Sequence, residues 1–278
     1  MHYRHSFHAG NFADVFKHAV LCGLALALNR KDKPWCYLET HAGAGAYELD
    51  SAAAARTQEW RDGIGRLWKL AAPEPLATCL RIAHEFNGDG ALRRYPGSPL
   101  FASALARSGD RLVLCEKVPE IAALLRENTA GDRRVKVHHR DGYEAHSLLP
   151  PAERRGLVLV DPPFEHPQEF VLALEFLQRA LPRFPGGVFA VWYPLKNRHA
   201  AARFERRATE LTAKPPLRLG LETGAPGEGQ MRACAVLILN PPFGFDFDDS
   251  GHVLAQMLAQ GPRAAFTAGV AAGENAAP

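Results

Sequence analysis

The sequence predicts a doubly wound α/β fold, a mostly parallel sheet with helices on both faces. Three observations predict it. From residue 112 onward, apolar runs of strand length alternate with stretches of helical period. The first strand-like run, residues 35–39, leads straight into Thr40-His41-Ala42-Gly43-Ala44-Gly45, where glycines let the backbone turn tightly and approach a ligand. The run Gly156-Leu157-Val158-Leu159-Val160 delivers Asp161-Pro162-Pro163-Phe164 to its carboxyl end. In open α/β sheets, ligands bind in the crevice outside those ends.

Residues 12–28 place Phe12, Phe16, Ala19, Val20, Leu24, Ala27 and Leu28 on one helix face, and Lys31-Asp32-Lys33-Pro34 ends that helix. Residues 56–86 read as helical up to the Asn87-Gly88-Asp89-Gly90 turn. Because the stretch 51–95 interrupts the alternation, it is expected to be a small helical insertion near the active-site end of a single domain spanning 1–278. Residues 99–107 follow as a helix, with Ser98 as N-cap and Pro99 at the first helical position. Strands are expected at 112–115, 135–138, 157–160 and 188–193, and helices at 119–128, 170–181 and 198–211. Residues 233–239 form a last apolar strand, and the Ala/Gly-rich end at 264–278 is expected to fray.

Composition narrows the class. With 278 residues, 47% hydrophobic and 23% charged, the chain reads as a soluble globular protein with a substantial core. No run approaches the length of a membrane span, and the segment from Met1 to His8 lacks the apolar centre of a signal peptide. Five scattered cysteines without a C-x-x-C read as reduced thiols in the cytoplasm. His2, His5 and His8 recur every third residue but have no Cys or carboxylate partners at metal-binding spacing, so no metal is expected. A formal net charge of +3 permits a nucleic-acid partner without arguing for one. Paired arginines such as Arg133-Arg134 and Arg206-Arg207 read either as phosphate contacts or as solvated faces.

A carboxylate, a proline carbonyl and an aromatic face together suit a planar amine. Asp161 and the carbonyl of Pro162 can accept the two N–H bonds of an exocyclic nitrogen, and Phe164 can stack on its ring. The plainer reading is a strand end followed by a Pro-Pro turn. A near-copy, Asn240-Pro241-Pro242-Phe243, ends the 233–239 run. Order along the chain separates the two. Glu116, Asp141-Gly142 and Asp161 close three successive strands after the glycine turn, where they suit a ribose, an adenine ring and a reacting amine. Asn240 comes two strands later and reads as a structural exit.

These blocks resemble the S-adenosylmethionine-dependent adenine-N6 methyltransferases, and most closely the RlmJ family of 23S ribosomal RNA adenine-N6 methyltransferases. The resemblance runs from Tyr3-Arg4-His5-Ser6-Phe7-His8-Ala9-Gly10-Asn11 through Asp14 and Lys17-His18, the 40–45 turn and Arg94-Tyr95-Pro96-Gly97-Ser98-Pro99. It continues through Asp141-Gly142 and Asp161-Pro162-Pro163 to Trp192-Tyr193-Pro194 and Asn240-Pro241-Pro242. It implies a Rossmann-like methyltransferase sheet, S-adenosyl-L-methionine as cofactor, and methylation at N6 of one adenine, position 2030, in 23S ribosomal RNA. It also implies site roles. His18, His41 and Ser98 would line the methionine end of the cofactor, Glu116 would hold its ribose, and Asp141 and Gly142 its adenine. Asp161 would hold the reacting amine and Tyr3 would lie near the substrate adenosine. The family's motif usually ends in Tyr where this chain has Phe164, which keeps stacking and loses a hydroxyl. The alternatives are a DNA adenine-N6 methyltransferase and a non-catalytic RNA-binding protein on the same fold. A monomer without membrane or metal partners is expected.

Overall fold

The computed structural model describes residues 7–88, 90–166, 168–226 and 231–271. Its first helix, α1 (Phe12–Asn29), begins where Asn11 turns its side-chain oxygen onto the amides of Ala13 and Asp14, 3.0 Å from each. That cap satisfies two of the helix's open N–H groups. Against the sequence expectation, α1 is long and apolar enough by length and composition to cross a membrane. It is instead enclosed by the rest of the protein as a core helix, which explains why its apolar residues are not confined to one face.

After β1 (Cys36–Glu39) comes β2 (Ala46–Glu48), which pairs antiparallel with β3 (Arg94–Pro96). This short pair, which periodicity did not foretell, brackets a helical segment. The continuous helix expected over 56–86 is broken into α2 (Ala52–Thr57), a 3-10 turn at Glu59–Asp62, α3 (Ile64–Leu67) and α4 (Leu76–Asn87). Gln58 ends α2 in the left-handed region, Gly63 separates the next pieces, and Pro73 and Pro75 rule out helix ahead of α4. Then α5 (Ser98–Leu105) starts one residue early. Gly97 is its N-cap, and Ser98 lies inside the first turn with its hydroxyl on Glu39, which corrects the N-cap assignment.

Strands and helices then alternate as β4 (Arg111–Glu116), α6 (Pro119–Thr129), β5 (Val135–His139), β6 (Gly156–Val160), α7 (Glu169–Ala180), β7 (Val188–Pro194) and α8 (Arg198–Thr209). The chain closes with β8 (Leu217–Glu222), β9 (Ala233–Leu239), α9 (Asp248–Met257) and β10 (Ala265–Val270). The main sheet has the order β10-β8-β9-β7-β6-β1-β4-β5. The five strands from β7 to β5 run parallel, and β9, β8 and β10 each pair antiparallel with their neighbours. The sheet is thus the expected doubly wound type with a mixed far edge. Residues 265–270, expected to fray, form a strand whose register runs from Ala265↔Glu222 to Val270↔Leu217. Only Phe266 of that strand is buried, so it carries little apolar signal.

Side chains alternate between two apolar layers. Leu157 and Leu159 face α1, α4, α5 and α9, while Val158 and Val160 face α7 and α8. The five cysteines are buried free thiols.

The antiparallel course of β9 decides where the second Pro-Pro motif goes. Leu239 pairs with Phe189 near the start of β7, whereas Val160 pairs with Val191 towards its end. Asn240 therefore leaves at the amino edge, opposite to Asp161. Its side-chain nitrogen donates to the carbonyls of Pro185 (3.0 Å) and Gly187 (2.9 Å), its φ is 53°, and the neighbouring Phe243 is 95% exposed. Asn240→Ala is accordingly expected to lose about 1–3 kcal/mol of stability, as two hydrogen bonds and a left-handed Asn are given up. The methyl transfer that the sequence resemblance implies should remain near wild type in the folded variant. Thermal unfolding and a rate measurement on the same preparation check both; a folded but inactive variant would move the active motif to Asn240.

Candidate functional site

The site is organised by two oppositely directed elements. β6 ends at Val160 and releases Asp161 outside the sheet, while α1 starts at that same edge and presents Asp14 and Lys17 one turn apart. Lys17 Nζ donates to Asp161 Oδ2 at 2.6 Å and to Asp14 Oδ1 at 3.0 Å. The other oxygen of Asp14 accepts from the Gly10 amide at 3.0 Å. The Lys17 side chain is only 6% exposed and that of Asp161 13%. Burial alone would pull the lysine down, but the two carboxylates outweigh it and hold Lys17 well above its usual value, so it is a fixed cation.

Glu39 closes β1 beside this group. Its carboxyl is fully buried, accepting from the Tyr37 hydroxyl at 2.9 Å and from the Ser98 hydroxyl. Burial, with the charge of Asp161 adding to it, pushes its pKa up to about 8 against the opposing pull of Ser98, Lys17 and Tyr37. Glu39 is therefore a neutral acid around pH 7. His18 lies one residue beyond Lys17, in contact with the Tyr95 hydroxyl (2.9 Å) and packed on Phe101 with ring centroids 4.7 Å apart. This histidine is enclosed by aromatic rings.

On the cofactor side of the sequence reading, His41 Nδ1 lies 2.8 Å from the Thr40 hydroxyl, and the ring sits edge-on to Tyr143 at 4.9 Å. Burial takes His41 down to about 4, so it is neutral. Glu116 spreads its carboxylate over two backbone amides, Gly43 (3.0 Å) and Val118 (2.8 Å), and so pins the glycine turn to β4. Gly43 holds φ +62° there, and a Cβ on it would collide with the Tyr47 hydroxyl. Asp141 caps the 3-10 turn Gly142–Leu148 through the Tyr143 amide (3.0 Å) and pairs with exposed Lys117 at 2.7 Å. Gly142 lies so close to the carbonyl of Thr40 that no side chain fits.

Phe164 holds φ 49°, an uncommon conformation for a bulky residue, while packing on Phe170 (4.8 Å) and edge-on to Trp192 (5.9 Å). Asp161, Pro162, Phe164, His41, Ser98, Glu116, Asp141 and Gly142 thus all gather along the carboxyl edge of β6, β1, β4 and β5. Tyr3 lies outside the described residues.

Sequence reasoning passed over Lys17, Asp14 and Glu39 as functional groups. The signal was present: an acid and a lysine three residues apart on a helix otherwise almost wholly apolar are costly to bury unless paired. It also passed over Tyr143, whose hydroxyl bonds Glu169 at the start of α7 and so ties the segment after β6 to the 3-10 turn.

Comparison with known proteins places this geometry in context. The family model described as "Ribosomal RNA large subunit methyltransferase D, RlmJ" matches residues 32–265. The chain is 40% identical over 245 residues to ribosomal RNA large subunit methyltransferase J of Escherichia coli (strain K12), covering 87% of each chain. It is 39% identical over 246 residues to the protein of the same name from Haemophilus influenzae (strain ATCC 51907 / DSM 11121 / KW20 / Rd), again over 87% of each. Among solved structures it is similar to protein LPL1258 from Legionella pneumophila str. Philadelphia 1, with a TM-score of 0.87 and 33% identity over 96% of this chain and 99% of that one.

The buried acid of β1 makes a pH signature. With its pKa raised from 4.5 to about 8, the folded protein holds one proton more than the unfolded chain within that window. Stability contributed by neutral Glu39 is fully present below the unfolded value and is lost as pH rises towards the folded one. The slope is about 1.4 kcal/mol per pH unit at most. Glu39→Gln should remove it, so the melting temperatures of variant and wild type should converge at acid pH and diverge in the variant's favour towards pH 8. Parallel melting curves across pH 5–8.5 would contradict a neutral Glu39.

Proposed function

We propose a function from one premise: the chain belongs to the RlmJ family of ribosomal RNA large-subunit methyltransferases. It is an S-adenosyl-L-methionine-dependent methyltransferase of ribosomal RNA. The finer reading is methylation of an adenine at N6, in 23S ribosomal RNA and, by the sequence resemblance, at position 2030. The observation that carries it is an Asp-Pro-Pro-Phe strand exit whose carboxylate is held by a buried lysine.

The residues present fit the cofactor. Gly142, pressed against Thr40, keeps the crevice wall free of side chains, and carboxylates stand at the ends of neighbouring strands β4 and β5. Glu116 would take the ribose hydroxyls, and Asp141 with Gly142 the adenine ring. His41 and Ser98 would line the methionine end, and His18, enclosed by Tyr95 and Phe101, would shape its wall. When bound, the cofactor supplies a methyl carbon on a sulfonium, an electrophile open to in-line displacement.

The chain's own residues prepare the nucleophile. An exocyclic adenine nitrogen is weak because its lone pair is delocalised into the ring. Lys17 occupies Oδ2 of Asp161, which leaves Oδ1 to accept one N–H, while the Pro162 carbonyl accepts the other. Holding both protons below the ring plane favours a pyramidal nitrogen with its lone pair turned towards the methyl carbon. Asp14, Lys17 and Asp161 together carry one net negative charge, which favours the positive charge that grows on the nitrogen. Phe164 holds the base by stacking, worth about 1–3 kcal/mol. The target must leave its own stack to reach that ring, which favours an unpaired RNA element. A ribosomal RNA substrate puts this work in the cytoplasm.

Transfer of labelled methyl groups to protein-free 23S ribosomal RNA, with DNA as control and N6-methyladenosine identified by mass spectrometry, tests this reading. Label in DNA alone, or a product methylated elsewhere on the base, would overturn it. Asp161→Ala is expected to slow transfer by about a hundred- to a thousand-fold, with S-adenosylhomocysteine affinity by calorimetry kept within a few-fold. Equal loss of both would make Asp161 a cofactor ligand only.

A further inference from the structure

One face of the sheet's terminal strand is left without an apolar cover. On β5, Val135 and Val137 join the apolar layer that includes Leu125 of α6. By strand alternation, Lys136 and His138 point to the other face, beside Val113 and Cys115 of β4, and Arg140 continues their row just past the strand. No aliphatic side chain follows on that face of β5. The row continues onto the 3-10 turn with His146, the end of α7 with Arg179 and the turn after it with Arg183. Arg140 is the joint, since its guanidinium donates to the Ser147 hydroxyl at 3.1 Å. Arg183 is steadied by the Leu149 carbonyl at 2.8 Å.

Charge pairing is sparse here. Nearby cations are neutralised closely, as in Arg134–Asp132 and Lys117–Asp141, each at 2.7 Å. Among the described residues, Lys136, Arg179 and Arg183 form no ion pair. Carboxylates near this face include Glu144, 3.7 Å from Arg140, Glu153, taken up by Arg111 at 2.8 Å, and exposed Glu175, one turn before Arg179 on α7. Both histidines register the surplus. Burial and then Lys136, Arg140 and Arg111 hold His138 below its usual value, and burial with Arg179, Arg183 and Arg140 does the same for His146 against Glu144. Edge strands often carry a lysine to discourage pairing with other chains. One lysine serves that purpose; a strip continued over two further elements needs another reason.

We propose that this strip, Lys136, His138, Arg140, His146, Arg179 and Arg183, holds the phosphate backbone of RNA flanking the target adenine. The inference rests on the RNA-methylating function above and adds the surface by which the RNA is held. Charge complementarity names the occupant, because a phosphate backbone is a polyanion bound chiefly by unpaired cations. Position agrees: Arg140 adjoins Asp141, so the strip begins at the carboxyl edge that carries the site and runs away from it along β5 and α7. Such contacts set register and affinity and leave sequence selection to the pocket.

The test uses the full chain and protein-free 23S ribosomal RNA. Lys136→Glu combined with Arg179→Glu should weaken RNA binding and make the plot of log affinity against log salt shallower by about 2, one for each phosphate no longer neutralised. S-adenosylhomocysteine affinity and the rate at saturating RNA should stay near wild type. The neutral pair Lys136→Gln and Arg179→Gln should move the slope in the same direction and covers a failure of the reversed pair to fold. Lys31→Glu with Lys33→Glu, in the exposed turn after α1, serves as the control for net charge. An unchanged slope in the folded strip variants, or an equal change in the control, overturns the proposal. So does loss of binding to anionic vesicles with RNA binding intact. Wild-type protein that binds RNA with the expected salt slope but transfers no methyl group overturns the proposed function and leaves the strip standing.

Discussion

The bridge from Asp14 through Lys17 to Asp161 is the constraint on which the rest of the site depends. A lone buried charge costs several kcal/mol, and a lysine this deeply enclosed is tolerable only between its two carboxylates. The reciprocal holds for Asp161, which lies at the mouth of the sheet with little solvent to support its charge. The bridge therefore acts at two levels. It keys α1, the helix that precedes the whole sheet in the chain, to the end of β6. It also fixes the rotamer of the Asp161 carboxylate, since one of its oxygens is committed to Lys17. The approach to α1 is secured in turn, because Glu59 of the helical segment binds both His8 and Asn11 at about 3 Å. The segment interrupting the alternation thus braces the helix that braces Asp161.

A second acid within reach of Asp161 would be expected to repel it, and Glu39 shows how that is avoided. Asp161 has a lysine, whereas fully buried Glu39 has only hydroxyl partners, so Glu39 keeps its proton to about pH 8. Two carboxyl groups in one neighbourhood are thereby assigned different charge states by their surroundings. Ser98 takes part in this division: its hydroxyl, expected to cap a helix, is spent on Glu39, and α5 is left with a glycine cap.

Much of this was legible in the sequence, and the failures share physical causes. The parallel core was visible because buried parallel strands read as unbroken apolar runs, as in Leu157 to Val160. The strand-end acids were visible because each follows such a run. By contrast, β10 buries Phe266 alone, and β2 and β3 are three residues long, so no period could reveal them. The breaks in 56–86 were written in Gly63, Pro73 and Pro75, but the apolar spacing spoke louder than the breakers. Lys17 was hidden for a different reason: its partner Asp161 lies 144 residues away, and a charge on an apolar helix shows a cost without naming what offsets it.

The duplicated Pro-Pro-Phe motif carries the lesson furthest. Residue content does not separate Asp161 from Asn240, since either side chain can accept a hydrogen bond and both precede the same three residues. Strand direction does. β6 is parallel to β1 and exits where α1 brings a lysine, whereas β9 is antiparallel to β7 and exits at the far edge. There, Asn240 gives its amide to two backbone carbonyls, which a carboxylate could not do, and accepts a left-handed φ that Asn tolerates better than most residues. The acid thus stands where an acceptor and a charge are needed, and the amide where a donor is needed. A single-atom difference between the two motifs follows from which end of the sheet each strand leaves.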